Sequence, residues 1–123
     1  MTTETRRIVP MASVADVPRS IAFYAQLGFR VENDFTPAGA PAPSWAWLES
    51  AGAALMVTQA CDPVVPAQQA VLFYLYVEDV AEAHQAFAAA GLAPGPIETP
   101  FYAPHGEFRL TDPDGYCLMI THI

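Results

Sequence analysis

Apolar and polar positions follow two different periods along this chain, and the same order of periods occurs twice. Apolar runs of strand length cover residues 8–14 and 71–77. Each run is followed by a stretch in which apolar side chains recur at helical spacing and fall on one face. These helical positions are Val17, Ile21 and Tyr24 in the first copy and Val80, Ala83 and Phe87 in the second. The pattern predicts a strand and then an amphipathic helix in each half.

Polar residues and glycines mark where the two helices begin and end. Asp16 and Asp79 offer side-chain oxygens for N-caps, and Glu82 completes a pair with Asp79 that is similar to a capping box. Gly28 and Gly91 follow the last helical residues, where a left-handed C-cap favours glycine. Three further strands are predicted in each half, at about 29–34, 45–50 and 53–59 and at about 92–98, 106–111 and 115–122.

Two short segments nearly repeat each other: ALMVTQ at 54–59 and CLMITH at 117–122, which lie 63 positions apart. The same offset, without gaps, aligns the two N-cap aspartates, the two C-cap glycines, and Gly52 with Gly115. A shared register of this length indicates one structural unit written twice. We therefore predict a single α+β domain over residues 1–123, made of two βαβββ repeats at about 7–59 and 70–122 with a linker at 60–69.

Composition and charge narrow the classes of partner. The chain of 123 residues is 53% hydrophobic and has a formal charge of −8, with five arginines and no lysine. Nucleic acid is bound largely by basic groups, so we expect no nucleic-acid partner. No apolar run approaches the length of a membrane span and the first residues lack the apolar part of a secretory signal, which favours a cytoplasmic protein without membrane contact. Cys61 and Cys117 form neither a CxxC pair nor a zinc spacing.

Two longer motifs carry a family resemblance. The doubled unit, with SIAFYAQLGF at 20–29 and DPDGYCLMI at 112–120, resembles the vicinal oxygen chelate superfamily over about residues 7–122. That group includes glyoxalase I, extradiol dioxygenases, fosfomycin-resistance enzymes and bleomycin resistance proteins. The resemblance implies that each half curls a mixed sheet into half a cup, with the helix outside and the ligand inside. It also implies a homodimer, in which two chains together complete two cups. Whether the chains exchange halves through residues 61–69 is left open.

The resemblance also implies where a metal would bind. Metal-dependent members carry His, Gln or Glu at four positions, which here are Val9, Met56, Leu72 and Met119. Valine and leucine have no donor atom, and a thioether suits Cu(I) rather than Ni, Zn, Mn or Fe. We therefore expect no metal and no cofactor, as in the metal-free members that are similar to bleomycin resistance proteins.

Alternation along the strands assigns side chains to the inside of the cup. The predicted ligand-binding residues are Trp45, Trp47, Glu49, Met56, Tyr74, Tyr76, Tyr102, His105, Glu107, Arg109 and Met119. Aromatic planes suit flat organic ligands, although they would equally fill the cup or a dimer seam. Inward charges either pair with one another or meet ligand. His105, Glu107 and Glu49 are the candidates for acid–base catalysis, with a solvent-exposed loop as the alternative for His105.

These residues leave more than one function open. The first hypothesis is metal-independent binding of a small, aromatic natural product or antibiotic, cationic or neutral, by a sequestration-type resistance protein. The alternative is a metal-independent isomerase, epimerase or cyclase on the same scaffold, with Glu107, Glu49 or His105 as acid or base. A third is a glyoxalase-like enzyme whose metal ligands have moved. The sequence leaves open whether the protein is an enzyme.

Overall fold

The computed structural model describes residues 3–123 and divides into two compact units between Val64 and Val65. Each unit contains one helix and one mixed sheet. This is the α+β class predicted from the sequence, with a complete βαβββ unit in the first half and a related unit with one strand fewer in the second, and the predicted fold class is confirmed. Within residues 3–123, neither helix has the length and apolar character that crossing a bilayer requires.

The first unit consists of β1 (Met11–Val14), α1 (Val17–Ala25), β2 (Arg30–Phe35), β3 (Trp45–Ser50) and β4 (Ala53–Gln59). Its sheet has the order β1-β4-β3-β2, in which β1 runs parallel to β4 and the other neighbours are antiparallel. The Asp16 carboxylate accepts the Arg19 amide at 3.2 Å and caps α1. Gly28, at φ +94°, ends the helix, because its left-handed backbone lets the Phe29 amide donate back to the Tyr24 carbonyl at 3.0 Å.

The second unit consists of a 3-10 turn (Pro66–Gln68), β5 (Leu72–Val77), α2 (Val80–Ala89), β6 (Glu107–Thr111) and β7 (Cys117–His122). Its sheet has the order β5-β7-β6, with β5 parallel and β6 antiparallel to β7. The Asp79 carboxylate accepts the Glu82 amide at 2.9 Å, which is the same cap as in the first unit.

The predicted strand at 92–98 does not form, so the second sheet has three strands where the first has four. Pro94 and Pro96 have no amide hydrogen and cannot contribute donors to a ladder. Two isolated attachments to β6 remain: the Gly95 amide donates to the Arg109 carbonyl at 2.9 Å, and Glu98 and Glu107 exchange both backbone hydrogen bonds at 2.9 Å. The segment therefore lies beside β6 without forming a regular strand.

One face of each sheet packs under the helix of its own unit. Ala12, Val14, Leu55 and Val57 are buried in the first unit, and Leu118 and Ile120 are buried in the second, as the alternation predicts. Phe73 and Leu75 on β5 are half-buried. The opposite face of each sheet is left for other contacts.

Candidate ligand-binding site

The face of the first sheet that lies opposite α1 carries two tryptophans. Trp45, Trp47 and Glu49 are half-buried on β3, while the alternate residues Ala46 and Leu48 are buried against the core. In the sheet register Met11, Met56 and Trp47 are direct neighbours on three strands, so their side chains share one face.

Charged groups engage the Trp47 indole at both its edge and its ring. The indole N–H donates to Glu49 Oε2 at 2.6 Å. The Arg7 guanidinium lies over the ring at 5.2 Å from its centroid, which is within the range of a cation–π contact. Glu49 is therefore held by Trp47, and the ring already contacts one cation from its own chain.

The corresponding face of the second sheet presents tyrosines. Tyr74, Met119 and Arg109 are neighbours in the register of β5, β7 and β6. Tyr74 and Tyr76 have ring centroids 6.4 Å apart and are 47% and 64% exposed. Two large aromatic surfaces are thus open to contact along the edge strand β5.

A cavity of about 360 Å³ lies in the second unit between β6 and the irregular proline-rich segment. Its lining consists of Gly95, Pro96, Glu98, Pro100, Tyr102, Glu107, Phe108, Arg109 and Met119. Four of these were predicted as ligand-binding residues: Tyr102, Glu107, Arg109 and Met119. A volume of this size is at the lower end of small-molecule sites.

Sequence reasoning missed Glu98 and the two cavity prolines, Pro96 and Pro100. Glu98 and Pro96 lie in the segment predicted as a strand, and Pro100 follows it. The signal that was available is the pair Pro94 and Pro96, because alternating prolines argue against a regular strand. A segment that cannot pair fully leaves space against its neighbour, and here that space is the cavity.

Glu107 differs from the other charged residues of this cavity in its burial and its hydrogen bonding. Its side chain is only 4% exposed, and neither carboxylate oxygen has a hydrogen-bond partner among the described residues. The negative charge of nearby Glu107 raises the pKa of the Tyr102 phenol above its ordinary value of 10.0, with smaller contributions from desolvation, Tyr74, a side-chain hydrogen-bond interaction with Glu107, and Glu98. A buried carboxylate without donors is rare in folded proteins.

His84 fixes the wall of the cavity from outside. Its Nε2 lies 2.8 Å from the Gly95 carbonyl oxygen, and its ring packs edge-on against Phe108 with centroids 4.9 Å apart. Since Gly95 and Phe108 both line the cavity, this α2 side chain positions the irregular segment against β6.

His105 does not join the cavity lining. It is exposed, and its ring packs edge-on against His122 with centroids 4.7 Å apart. The His122 Nδ1 lies 3.2 Å from the Ile123 carbonyl oxygen. The structure therefore brings the predicted acid–base candidate Glu107 into the cavity but leaves His105 on a loop beside the C-terminal strand.

Comparison with known proteins identifies the family. Residues 7–120 match the Glyoxalase/Bleomycin resistance protein/Dioxygenase superfamily. The chain belongs to this superfamily. A sequence search of curated proteins found no match.

Several solved structures share the superfamily fold with this chain. A bleomycin resistance determinant encoded on the transposon Tn5 has a TM-score of 0.76 at 21% identity, covering 96% of this chain and 98% of its own. A bleomycin-binding protein complexed with bleomycin has a TM-score of 0.75 at 22% identity, covering 97% and 99%. TnmS3, an antibiotic binding protein from Streptomyces sp. CB03234, has a TM-score of 0.76 at 17% identity, covering 99% and 98%.

The four positions at which the family resemblance implies metal ligands carry hydrocarbon or thioether side chains. Val9 precedes β1, Met56 lies on β4, Leu72 begins β5 and Met119 lies on β7. Hydrocarbon and thioether groups do not fit the Ni, Zn, Mn or Fe of metal-dependent relatives. Among residues 3–123 there is also no group of three or more His, Cys, Asp or Glu side chains arranged to hold a metal ion.

Proposed function

We propose that this superfamily member binds a small aromatic organic molecule without a metal and holds it unchanged, as a sequestration-type resistance protein does. The observation that carries the proposal is the cavity of about 360 Å³ in the second unit, in which two aromatic residues, a thioether and two prolines accompany three charged residues. Mostly apolar concave sites with a small number of polar groups are typical of small-molecule binding. The exposed rings of Tyr74 and Tyr76 on the same sheet add stacking surface.

The donor chemistry supports a metal-independent mode of binding. A Lewis acid polarises a diol, a hydroxyketone or dioxygen in the metal-dependent members, and Val9, Met56, Leu72 and Met119 offer no ligands for one. The similarity to bleomycin-binding and antibiotic-binding structures supports a natural product or antibiotic as the ligand class.

One observation favours a second candidate, a metal-independent isomerase, epimerase or cyclase. Glu107 places a carboxylate in the cavity with no partner on either oxygen. Such a group is able to accept a proton from a carbon acid and return it to another position of the same molecule. This reaction needs no cofactor and consumes no second substrate.

The deciding experiment combines calorimetry with mass analysis. Purified protein is titrated with a panel of aromatic antibiotics, and the bound compound is then recovered and weighed by mass spectrometry. An unchanged mass, and an unchanged retention time on a chiral column, supports sequestration. A new product that Glu107→Gln no longer forms makes the protein an enzyme. If no member of a broad panel binds, the proposal is wrong.

We also propose that the chain forms a homodimer, because the family resemblance implies that one chain of 123 residues supplies two half-cups and that a second chain completes them. Light scattering at micromolar concentration is expected to give twice the mass of 13.3 kDa. A stable monomer over the whole concentration range would contradict this expectation.

A further inference from the structure

Two carboxylates face each other across the irregular edge of the second sheet. Glu98 and Glu107 exchange both backbone hydrogen bonds at 2.9 Å, so they form a hydrogen-bonded antiparallel pair whose side chains share one face. Like charges directly opposite in such a pair are destabilising. Both side chains line the cavity, so their charges meet in the same space.

Within residues 3–123 the Tyr102 phenol interacts with the Glu107 carboxylate, but no donor lies within full hydrogen-bond geometry of either oxygen. Glu107 is buried, with only 4% of its surface exposed. Arg109 lines the cavity two positions further along β6, yet it makes no hydrogen bond to either oxygen of Glu107. An ionised carboxylate only accepts hydrogen bonds, and leaving it buried without donors is costly.

We propose that the Glu98–Glu107 pair anchors a cationic group that bears N–H bonds, a protonated primary or secondary amine or an amidine, on the small molecule that the cavity takes. This inference rests on the proposed function and adds the chemical class of the ligand. One such group supplies two or three donors and a positive charge, which together meet both carboxylates. The formal charge of −8 on the whole chain also favours the approach of a cation.

The chemistry of the pair argues against two other classes of cation, quaternary ammonium groups and divalent metal ions. A quaternary ammonium group has the charge but no N–H, so it leaves the Glu107 oxygens without donors. Calcium takes six to eight oxygen ligands and magnesium demands octahedral geometry, whereas the described residues hold no cluster of three acidic, His or Cys ligands for them.

Tyr102 is the exposed neighbour of Glu107 in this cavity. The Glu107 oxygens are covered, while Tyr102 is 62% exposed and close enough to feel their charge. An exposed side chain on a turn changes rotamer on the picosecond to nanosecond timescale, so the ring is free to turn aside for an incoming amine.

The experiment uses three probes that differ only in the group to be recognised: naphthylmethylamine, its N,N,N-trimethyl derivative and naphthylmethanol. Each is titrated into the full chain while the amide NMR signals of Gly95, Phe108 and their neighbours are followed. The amine is expected to bind at least about tenfold more tightly than either other probe, since the trimethylated probe has no N–H to donate and the alcohol has no positive charge. Glu107→Gln should reduce the affinity for the amine to that for the alcohol.

Glu78→Gln is the matched control, because it removes the same charge from an exposed position of the second unit that does not line this cavity. It should change the affinity for the amine by no more than about twofold, as expected for a screened surface charge. If Glu107→Gln fails to fold by circular dichroism, the comparison of amine with trimethylated probe on the parent chain decides alone, and Glu98→Gln supplies the second variant.

Several results would overturn the inference. Equal affinities for the amine and its trimethylated form would show that N–H donors are not recognised, and an unchanged affinity in Glu107→Gln would remove the pair from the site. Displacement of the amine by stoichiometric calcium or magnesium would make this a metal site. Binding of the alcohol as tightly as the amine would refute the inference while leaving the proposed function intact, whereas failure of the proposed function is seen in the antibiotic panel.

Discussion

Replacing Gly115 by alanine tests the packing of the turn between β6 and β7. Gly115 has φ +87°, and an added Cβ would lie 2.6 Å from both Cα and Cβ of Pro66 and 2.9 Å from the Pro66 carbonyl oxygen. Its repeat partner Gly52 has φ +93° and nothing within 4 Å of the same added atom. The two positions share their backbone strain and differ in their surroundings, which makes Gly52→Ala a matched control.

The expected magnitude has two parts. The left-handed backbone costs a non-glycine residue roughly 1–2 kcal/mol at either position. At Gly115 the overlap with Pro66 backbone adds about 1–3 kcal/mol, the usual cost of forcing an extra methyl group into filled space. The turn has little freedom to relax, because the buried Asp112 carboxylate accepts the Asp114 amide at 2.9 Å and the Tyr116 amide at 2.8 Å. Gly115→Ala should thus lose about 2–5 kcal/mol of the free energy of unfolding, against about 1–2 kcal/mol for Gly52→Ala.

Urea unfolding followed by far-ultraviolet circular dichroism measures both losses. The urea concentrations at half-unfolding are compared between variants with one common dependence of the free energy on urea. A changed dependence in one variant would indicate a departure from two-state behaviour. Equal losses for the two variants would refute the reasoning, because they would mean that Pro66 does not lie against this turn or moves away without cost. A smaller loss for Gly115→Ala than for Gly52→Ala would contradict it more strongly.

Three further predictions follow from the site. For an aromatic cationic ligand that stacks on the first sheet, Trp47→Ala should weaken binding by one to two orders of magnitude, about 1.4–2.7 kcal/mol, measured by calorimetry with Trp47→Phe as the conservative control; equal affinity would exclude this face from binding and confine the ligand to the other contacts. Tyr102 should titrate above pH 10.0 in an ultraviolet pH titration referenced to Tyr102→Phe, and Glu107→Gln should bring its pKa back toward 10.0. Because that pKa is raised in the folded chain, the stabilising contribution of the neutral phenol is complete below pH 10.0 and is lost as the pH rises through the raised value. Elemental analysis after purification without chelators should find no stoichiometric Ni, Zn, Mn or Fe, and about one such ion per chain would refute metal independence.

Much of the fold was predictable because helix caps and strand alternation depend only on residues that are close in sequence. The Asp16 and Asp79 caps need only a side-chain oxygen three residues before a free amide, and both form as predicted. The prediction of a strand at 92–98 was wrong, because it gave the apolar residues of this segment more weight than Pro94 and Pro96. Neither proline is able to donate a hydrogen bond to a sheet.

The candidate site was harder to predict, because it depends on contacts between residues that are far apart in sequence. No spacing rule places Glu98 opposite Glu107, because their register is set by the irregular path around Gly95. The same limit applies to His105, whose packing against His122 joins residues 17 positions apart in sequence (122 minus 105).

The distribution of aromatic side chains determines what an optical measurement reports. Both tryptophans lie on β3 of the first unit, while the cavity belongs to the second unit, whose aromatic residues are tyrosines and phenylalanines. Indole fluorescence is therefore a signal from the first unit alone. A ligand that quenches it perturbs the surroundings of these two indoles, and a ligand seen by calorimetry without quenching leaves those surroundings unchanged. A single tryptophan introduced at Tyr76 in a chain whose own two tryptophans are replaced would give the second unit its own emission, so that the order in which the two units meet a ligand becomes measurable by stopped flow.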